Sequence, residues 1–101
     1  MSSDDCLFCK IVSKEIKADI VYEDDKMITI KDINPAAPVH LLIIPRAHIP
    51  SLNETSIENV EVLGLIQLLA SRLANDYGIA EQGYRLVNNC GIWGGQAIFH
   101  L

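Results

Sequence analysis

The sequence predicts an α+β domain with a mostly antiparallel sheet, one long helix and a short N-terminal helix. Three observations lead to this prediction. The 101 residues suffice for one domain with one core, which we place at residues 1–101. Several short runs have the pattern of strands, and a single long stretch has a helical repeat. The elements come in the order helix, three strands, helix, two strands, which is typical of an α+β domain.

The first half of the chain contains the short helix and three strands. Residues 6–14, CLFCKIVSK, have apolar side chains at helical spacing. The segments DIVYED and KMITIKD alternate at period two and meet at Asp24 and Asp25, which predicts a hairpin. INPAAP is a loop because of its prolines. VHLLIIP is apolar at nearly every position, as expected of a central strand covered on both faces.

The second half contains the long helix and two further strands. Thr55 and Glu58 have the spacing of a capping box, and Gly78 is typical of a helix end. Between them, apolar residues recur every three or four positions, which predicts a helix with one face on the core. YRLVNN and QAIFHL then predict two strands, joined by the loop CGIWGG.

Composition excludes several classes of partner. The chain has 13 acidic and 8 basic residues, a net charge of -5, and no stripe of lysine or arginine, so a nucleic-acid partner is disfavoured. The N-terminus MSSDDC is unlike a secretory signal, and the longest apolar run, LLII, is too short to span a membrane. Three cysteines, two of them in a C-x-x-C pair, suit a reducing compartment. We therefore predict a cytoplasmic protein with neither a nucleic-acid nor a membrane partner.

The C-x-x-C pair, Cys6 and Cys9, is the first candidate for chemistry. Such a pair occurs in zinc sites and in thioredoxin-like redox sites. Two histidines elsewhere in the chain would complete a tetrahedral Cys₂His₂ set. Three interpretations stay open at this point: a structural zinc site, a redox pair, or two small buried side chains without a ligand.

His100 is the second candidate. In a strand, Gln96, Ile98 and His100 share one face, and Ala97, Phe99 and Leu101 share the other. If the pattern continued, positions two and four residues beyond His100 would join its face. A row of imidazoles at that spacing can grip and attack a phosphate, and His100 would be its first member.

Four segments together resemble the histidine triad (HIT) family, nearest its Hint-like branch. They are the opening CLFCKI, YEDDKMITIKDINPAAP, HLLIIPRAHI and the final GGQA followed by FHL, and the resemblance runs from about Cys6 to Leu101. It implies the HIT fold with its last strand truncated, and a homodimer. The family signature is His-φ-His-φ-His-φ-φ, of which this chain contains His100, the first triad histidine, and Leu101.

The resemblance also implies an activity. In the family, the middle histidine attacks the α-phosphate of a nucleotide ester, anhydride or phosphoramidate, and water resolves the nucleotidyl-histidine. That nucleophile would lie beyond Leu101, so no catalytic histidine is expected within the chain. Whether the protein is an enzyme is therefore left open. Ala97 stands where Hint-like members often have a serine that assists the leaving group, which argues against a phosphoramidase preference.

The resemblance assigns binding residues as well. The expected ligand is a purine nucleoside monophosphate or a derivative. Asp32 matches the carboxylate that accepts hydrogen bonds from the ribose hydroxyls, although it is also a suitable turn residue before Asn34 and Pro35. His40 is interpreted as structural, because the sequence gives it no defined partner. The remaining positions are Phe8, Ile11, Ile30 and Leu42 around the base (or as ordinary core), Asn89, Gly95, Gln96 and Ala97 around the phosphate, and Cys6, Cys9, His48 and His100 around a structural zinc ion.

Three hypotheses follow. The first is a HIT nucleotide hydrolase or transferase, with the missing histidines belonging to the parent protein. The second is a catalytically inactive nucleotide-binding module. The third is a zinc-stabilised interaction domain that binds no nucleotide.

Overall fold

The computed structural model describes residues 6–98, 100 and 101. Residues 1–5 of the predicted domain and Phe99 of the predicted last strand lie outside that part of the chain. A three-stranded antiparallel sheet in the order β1-β2-β3 is flanked by two helices, which confirms the predicted α+β class. The elements are α1 (Leu7–Val12), β1 (Ile20–Glu23), β2 (Met27–Lys31), β3 (Leu41–Pro45), two 3₁₀ turns (Leu52–Glu54 and Ile57–Asn59) and α2 (Val60–Asp76).

The carboxylate of Asp24 organises the turn between β1 and β2, and this turn confirms the predicted hairpin. Its Oδ1 accepts hydrogen bonds from the backbone N–H groups of Lys26 (2.8 Å) and Met27 (2.9 Å). Its Oδ2 accepts a bond from the Tyr22 hydroxyl at 2.7 Å. Chiefly because of the Tyr22 bond, and despite opposing desolvation, the pKa of Asp24 lies below its usual value.

Asp24→Asn is expected to lower the free energy of unfolding by about 1 kcal/mol at neutral pH, because the turn loses charge-assisted hydrogen bonds. A pKa that is lower in the folded state stabilises the fold above the unfolded pKa of about 3.9, and this stabilisation disappears as the pH falls through the folded value. Denaturant unfolding between pH 7 and pH 2 measures the effect. The matched control is Asp25→Asn, which removes the adjacent exposed carboxylate. A constant difference between Asp24→Asn and the native chain across this range would contradict the assignment.

The two helices cover opposite faces of the sheet. On one face, Ile28 and Ile30 of β2 and Ile44 of β3 pack against Ile11 of α1. On the other face, Met27 packs against the apolar side of α2. Successive side chains of a strand point to opposite faces, so β2 is buried at four of its five positions.

The prediction that residues 39–45 form the central strand is wrong. Within the described part of the chain, β3 pairs only with β2, and β2 is the central strand. The continuous apolar run of β3 reflects helices on both of its faces. It does not indicate a strand on each side, because face coverage and edge pairing are independent properties of a strand.

The capping box forms one residue later than predicted and caps the 3₁₀ turn Ile57–Asn59, which leads into α2 at Val60. The capping box is formed by Ser56, whose hydroxyl accepts from the Glu58 N–H, and by Asn59, whose side chain accepts from the Ser56 N–H. Thr55 instead donates its hydroxyl to the carbonyl of Leu52. The predicted end is confirmed, since Gly78 follows the helix with a φ of 73°, a conformation that favours glycine.

The two strands predicted at residues 84–89 and 96–101 are not formed in the described structure. Residues 84–89 are exposed and lie outside any ladder. A strand exists only when a neighbour supplies its hydrogen bonds, and alternation alone does not supply one. The C-terminal residues, here called the tail, instead lie beside the segment that follows β3. There, the Leu101 N–H donates to the carbonyl of Ile49 at 2.6 Å. This contact fixes the position of His100. In the part of the chain that the structure covers, the helices are too short or too polar to cross a membrane.

Candidate functional site

The four predicted metal ligands come together at one end of α1. The ligand atoms of Cys6, Cys9, His48 and His100 all lie within 4.8 Å of one another. Cys6 is the N-cap of α1, and its Sγ accepts from the Cys9 N–H at 3.5 Å, so the first turn of this helix positions both thiols. His48 lies in the segment after β3. The hydrogen bond from the Leu101 N–H to the Ile49 carbonyl places His100 beside this segment.

His100 has the tautomer that a metal ligand needs. Its Nε2 lies 2.8 Å from the carbonyl oxygen of Pro45, which can only accept, so Nε2 carries the proton. The lone pair of Nδ1 then faces the thiols, 3.3 Å from Cys6 Sγ and 3.5 Å from Cys9 Sγ. Burial lowers the pKa of His100 below its usual value, which keeps the imidazole neutral near pH 7. A second hydrogen bond that orients the ring is the usual arrangement of a ligating histidine.

His48 completes the cluster from the opposite side. Its Nδ1 lies 3.2 Å from Cys9 Sγ, and its ring meets that of His100 edge to face, with centroids 5.2 Å apart. Its Nε2 is buried and has no hydrogen-bond partner among the described residues. Nδ1 is therefore the ring atom that would bind a metal held by the thiols, and such a metal would not satisfy Nε2.

The donor set fits a tetrahedral metal ion. Bonds of about 2.3 Å to sulfur and about 2.0–2.1 Å to nitrogen place neighbouring S and N donors about 3.5 Å apart in a tetrahedron. The three sulfur–nitrogen distances given above are 3.2–3.5 Å. Two thiolates and two imidazoles are ligands that Zn²⁺ accepts, and other thiophilic ions accept them too. The geometry is therefore compatible with a metal site.

The four residues predicted around the base belong to one cluster. Ile11 and Ile30 are buried, and Phe8 and Leu42 pack against them and are partly exposed. Phe8 also contacts the His100 ring edge to face, with centroids 5.8 Å apart. Helix α1 thus joins the apolar cluster to the metal-ligand cluster.

Asp32 lies at the end of the same sheet face. It is the first residue after β2, so its side chain follows Ile28 and Ile30 in the alternation. Its Oδ1 accepts from the Asn34 N–H at 2.9 Å, and its Oδ2 lies 3.3 Å from Nε2 of His40. Asp32 and His40 line an open cleft of about 210 Å³. Asp32 therefore acts locally as a turn residue, and its side chain remains 22% exposed.

In the segment predicted around the phosphate, polar groups that could bind an anion already form hydrogen bonds within the protein. The Gln96 side chain accepts from the Gly91 N–H and donates to the carbonyls of Pro50 and Ile98. The backbone N–H groups of Gly95 and Gln96 donate to the carbonyls of Ile92 and Gly91, so they close the turn. Asn89 and Ala97 are exposed, and within the described residues no hydrogen bond joins this segment to Asp32.

Glycine is required in this turn for a local reason. A Cβ on Gly94 would lie 2.5 Å from the carbonyl oxygen of Cys90, a contact that a side chain cannot make. Gly95 has a φ of 76°, in the left-handed region. The neighbouring Trp93 is fully exposed. The glycine pair therefore shapes the turn from which the tail returns toward β3.

His40 has a contact that the sequence interpretation did not predict. It has a defined partner in Asp32, whereas we expected a structural residue without one. A signal was present in the sequence, because Asp32 and His40 flank a proline-rich loop between two strands. The ends of a hairpin face each other, so the two side chains are expected to meet there.

Comparison with known proteins identifies the family of the chain. The family model described as "Scavenger mRNA decapping enzyme C-term binding" matches residues 5–101. The chain is 43% identical to the purine nucleoside phosphoramidase of Escherichia coli (strain K12) over 99 residues, covering 98% of this chain and 83% of that protein. It is 47% identical to protein HitA of Neisseria gonorrhoeae over 98 residues, covering 97% and 91% of the two chains.

A solved structure gives the same result for the fold. The crystal structure of a HIT family hydrolase from Legionella pneumophila Philadelphia 1 superposes with a TM-score of 0.93 at 46% identity. The match covers 95% of this chain and 86% of that one. These likenesses extend over nearly the whole sequence, and the chain belongs to the histidine triad (HIT) family.

Proposed function

We propose that this protein binds a purine nucleoside monophosphate or a close derivative, and that its parent reaction is hydrolysis or transfer at the α-phosphate through a nucleotidyl-histidine. One observation carries the proposal. A buried apolar cluster with two partly exposed members, Phe8 and Leu42, lies on the same face of the sheet as a hydrogen-bonded carboxylate, Asp32. One glycosidic bond joins the base of a nucleotide to its ribose. A nucleotide site therefore needs an apolar surface for the base next to a group that accepts hydrogen bonds from the ribose hydroxyls.

In this proposal, a different group of residues contacts each part of the nucleotide. The base would pack against the exposed sides of Phe8 and Leu42, above Ile11 and Ile30. The ribose diol would donate to Asp32, whose two oxygens have room for further hydrogen bonds. The phosphate would lie near residues 89 and 95–97. There, its binding would exchange the N–H bonds that close the turn for bonds to phosphate oxygens.

We propose that the metal is zinc and that it is structural. Four protein ligands would leave it no open position, which is the arrangement of structural zinc sites. When bound, it would cross-link α1, the segment after β3 and the tail. This link would hold Phe8 at the edge of the base pocket, because Phe8 lies between the two cysteine ligands in α1.

Each of the three histidines of the chain already has a contact within the protein. His100 donates to Pro45, His48 contacts Cys9, and His40 contacts Asp32. In this proposal His48 and His100 hold the metal, and neither of them is the nucleophile of the HIT signature.

Dimerisation and localisation complete the proposal. Apolar side chains are exposed on α2 and on the segment after it, including Leu68 (69%), Val60 (56%) and Val87 (65%). We propose that a second copy covers this surface in a homodimer, in the cytoplasm.

Titration with AMP tests the proposed function. We expect saturable heat in isothermal titration calorimetry with AMP and weaker binding of CMP. The base pocket provides the purine preference. Absence of AMP binding would contradict the proposal and favour a zinc-stabilised interaction domain.

A further inference from the structure

We propose that His40 is a positioning residue that holds Asp32 in the orientation needed to read the ribose hydroxyls, so that His40 sets the preference for ribonucleotides. This inference rests on the proposed nucleotide function and adds to it a residue and a specificity. The observation behind it is the contact of 3.3 Å between His40 Nε2 and Asp32 Oδ2.

The hairpin register brings the two residues together. The ladder between β2 and β3 stops at the pair of Lys31 and Leu41. Asp32 and His40 would form the next pair in the same register. The Asp32 N–H donates to the His40 carbonyl at 3.1 Å, which continues the pairing by one step. Opposite residues of an antiparallel pair point to the same face. This is the face of Ile30 and Leu42, where the base pocket is proposed.

The loop between the strands selects the tautomer of His40. The Ala36 N–H donates to Nδ1 of His40 at 2.9 Å, so Nδ1 must present a lone pair. In the neutral ring, the proton then lies on Nε2, the atom that lies 3.3 Å from Oδ2 of Asp32. The contact therefore needs no positive charge on His40, and one loop amide determines which atom faces the carboxylate.

As a result, both oxygens of Asp32 lie near a donor. Oδ1 accepts from the Asn34 N–H, and Oδ2 lies 3.3 Å from Nε2 of His40. A carboxylate has about four lone-pair positions, so about two remain for a vicinal diol. Because the rotation of the side chain is restricted before the ligand arrives, binding costs less conformational entropy. Without His40, Oδ2 loses its fixed direction and the discrimination between ribose and deoxyribose decreases.

Two substitutions at position 40 separate this role from a structural one. In His40→Asn, the amide oxygen lies near the place of Nδ1, so the bond from Ala36 is kept and the donor to Asp32 is lost. In His40→Gln, the amide nitrogen lies near the place of Nε2, so the donor is kept and the acceptor for Ala36 is lost. The measured quantity is the ratio of the Kd values for 2′,3′-dideoxy-AMP and AMP.

We expect the native protein to prefer AMP by roughly 10- to 100-fold, the range for hydrogen bonds to a charged acceptor. His40→Asn should reduce this ratio to about threefold or less, and His40→Gln should retain most of it. In an Asp32→Asn background, His40→Asn should leave the ratio unchanged, because the effect of His40 passes through Asp32.

The outcomes distinguish the two proposals. If the native protein fails to bind AMP, the nucleotide function itself is wrong. If it binds AMP and prefers the ribonucleotide, but His40→Asn keeps that preference or His40→Gln loses it to the same degree, only the role of His40 is overturned. Thermal unfolding of both variants separates a loss of fold from a loss of selectivity.

Discussion

Protein carrying Cys6→Ser is expected to lose stoichiometric Zn²⁺ and to unfold at a much lower temperature than the native chain. The Cys6 side chain is fully buried, caps α1, and lies 3.3 Å from Nδ1 of His100. Serine is a poor zinc ligand, so the substitution would open the proposed site and release the tail from α1. A ligand that binds only the folded state stabilises it by about 4 kcal/mol at a concentration a thousand times its Kd.

Cys90→Ser is the matched control, since it makes the same change at a cysteine outside the cluster. Metal analysis after dialysis without chelator measures the zinc content, and thermal unfolding with and without EDTA measures its effect on stability. A cobalt titration adds a readout of thiolate coordination that does not depend on zinc. Less than about a tenth of an equivalent of zinc in the native protein would contradict the site, because structural zinc is held tightly. Equal destabilisation by both substitutions would contradict it too.

Local pattern was sufficient to predict the elements whose cause is local. The hairpin turn depends on Asp24 and its immediate neighbours, and the helix end depends on the left-handed conformation of Gly78. Both causes lie within a few residues in the sequence. The metal-ligand cluster was also predicted, because the resemblance to the HIT family supplied the long-range pairing of the cysteines with His48 and His100.

Pairing between distant segments could not be predicted in the same way. Residues 84–89 alternate like a strand, but alternation does not contain the neighbour that a strand needs, and the described structure supplies none. The same limit explains the error at residues 39–45, where burial on both faces was taken to indicate a central position. The contact between His40 and Asp32 was missed because it depends on the register of β2 and β3, which the pattern of either strand alone does not determine.

Asp32→Asn is expected to weaken AMP binding by roughly 10- to 100-fold, because the ribose hydroxyls lose a charged acceptor. The substitution also creates a conflict in the free protein. Nε2–H of His40 is a donor and cannot exchange roles with Nδ1, which accepts from Ala36. The amide oxygen of asparagine can satisfy either the Asn34 N–H or His40, and its NH₂ group then faces the other donor.

This conflict gives Asp32→Asn a recognisable signature in calorimetry. Affinity for AMP should fall while affinity for 2′,3′-dideoxy-AMP changes little, since the deoxy ligand never used the carboxylate. Asp19→Asn is the matched control, because it neutralises an exposed carboxylate beside Lys31 on the same sheet. An AMP Kd within about threefold of the native value would show that Asp32 acts only as a turn residue, a difference well below that of one charged hydrogen bond. A comparable fall in affinity for both nucleotides would instead indicate that Asp32 shapes the loop, and would remove the argument that the carboxylate reads the ribose.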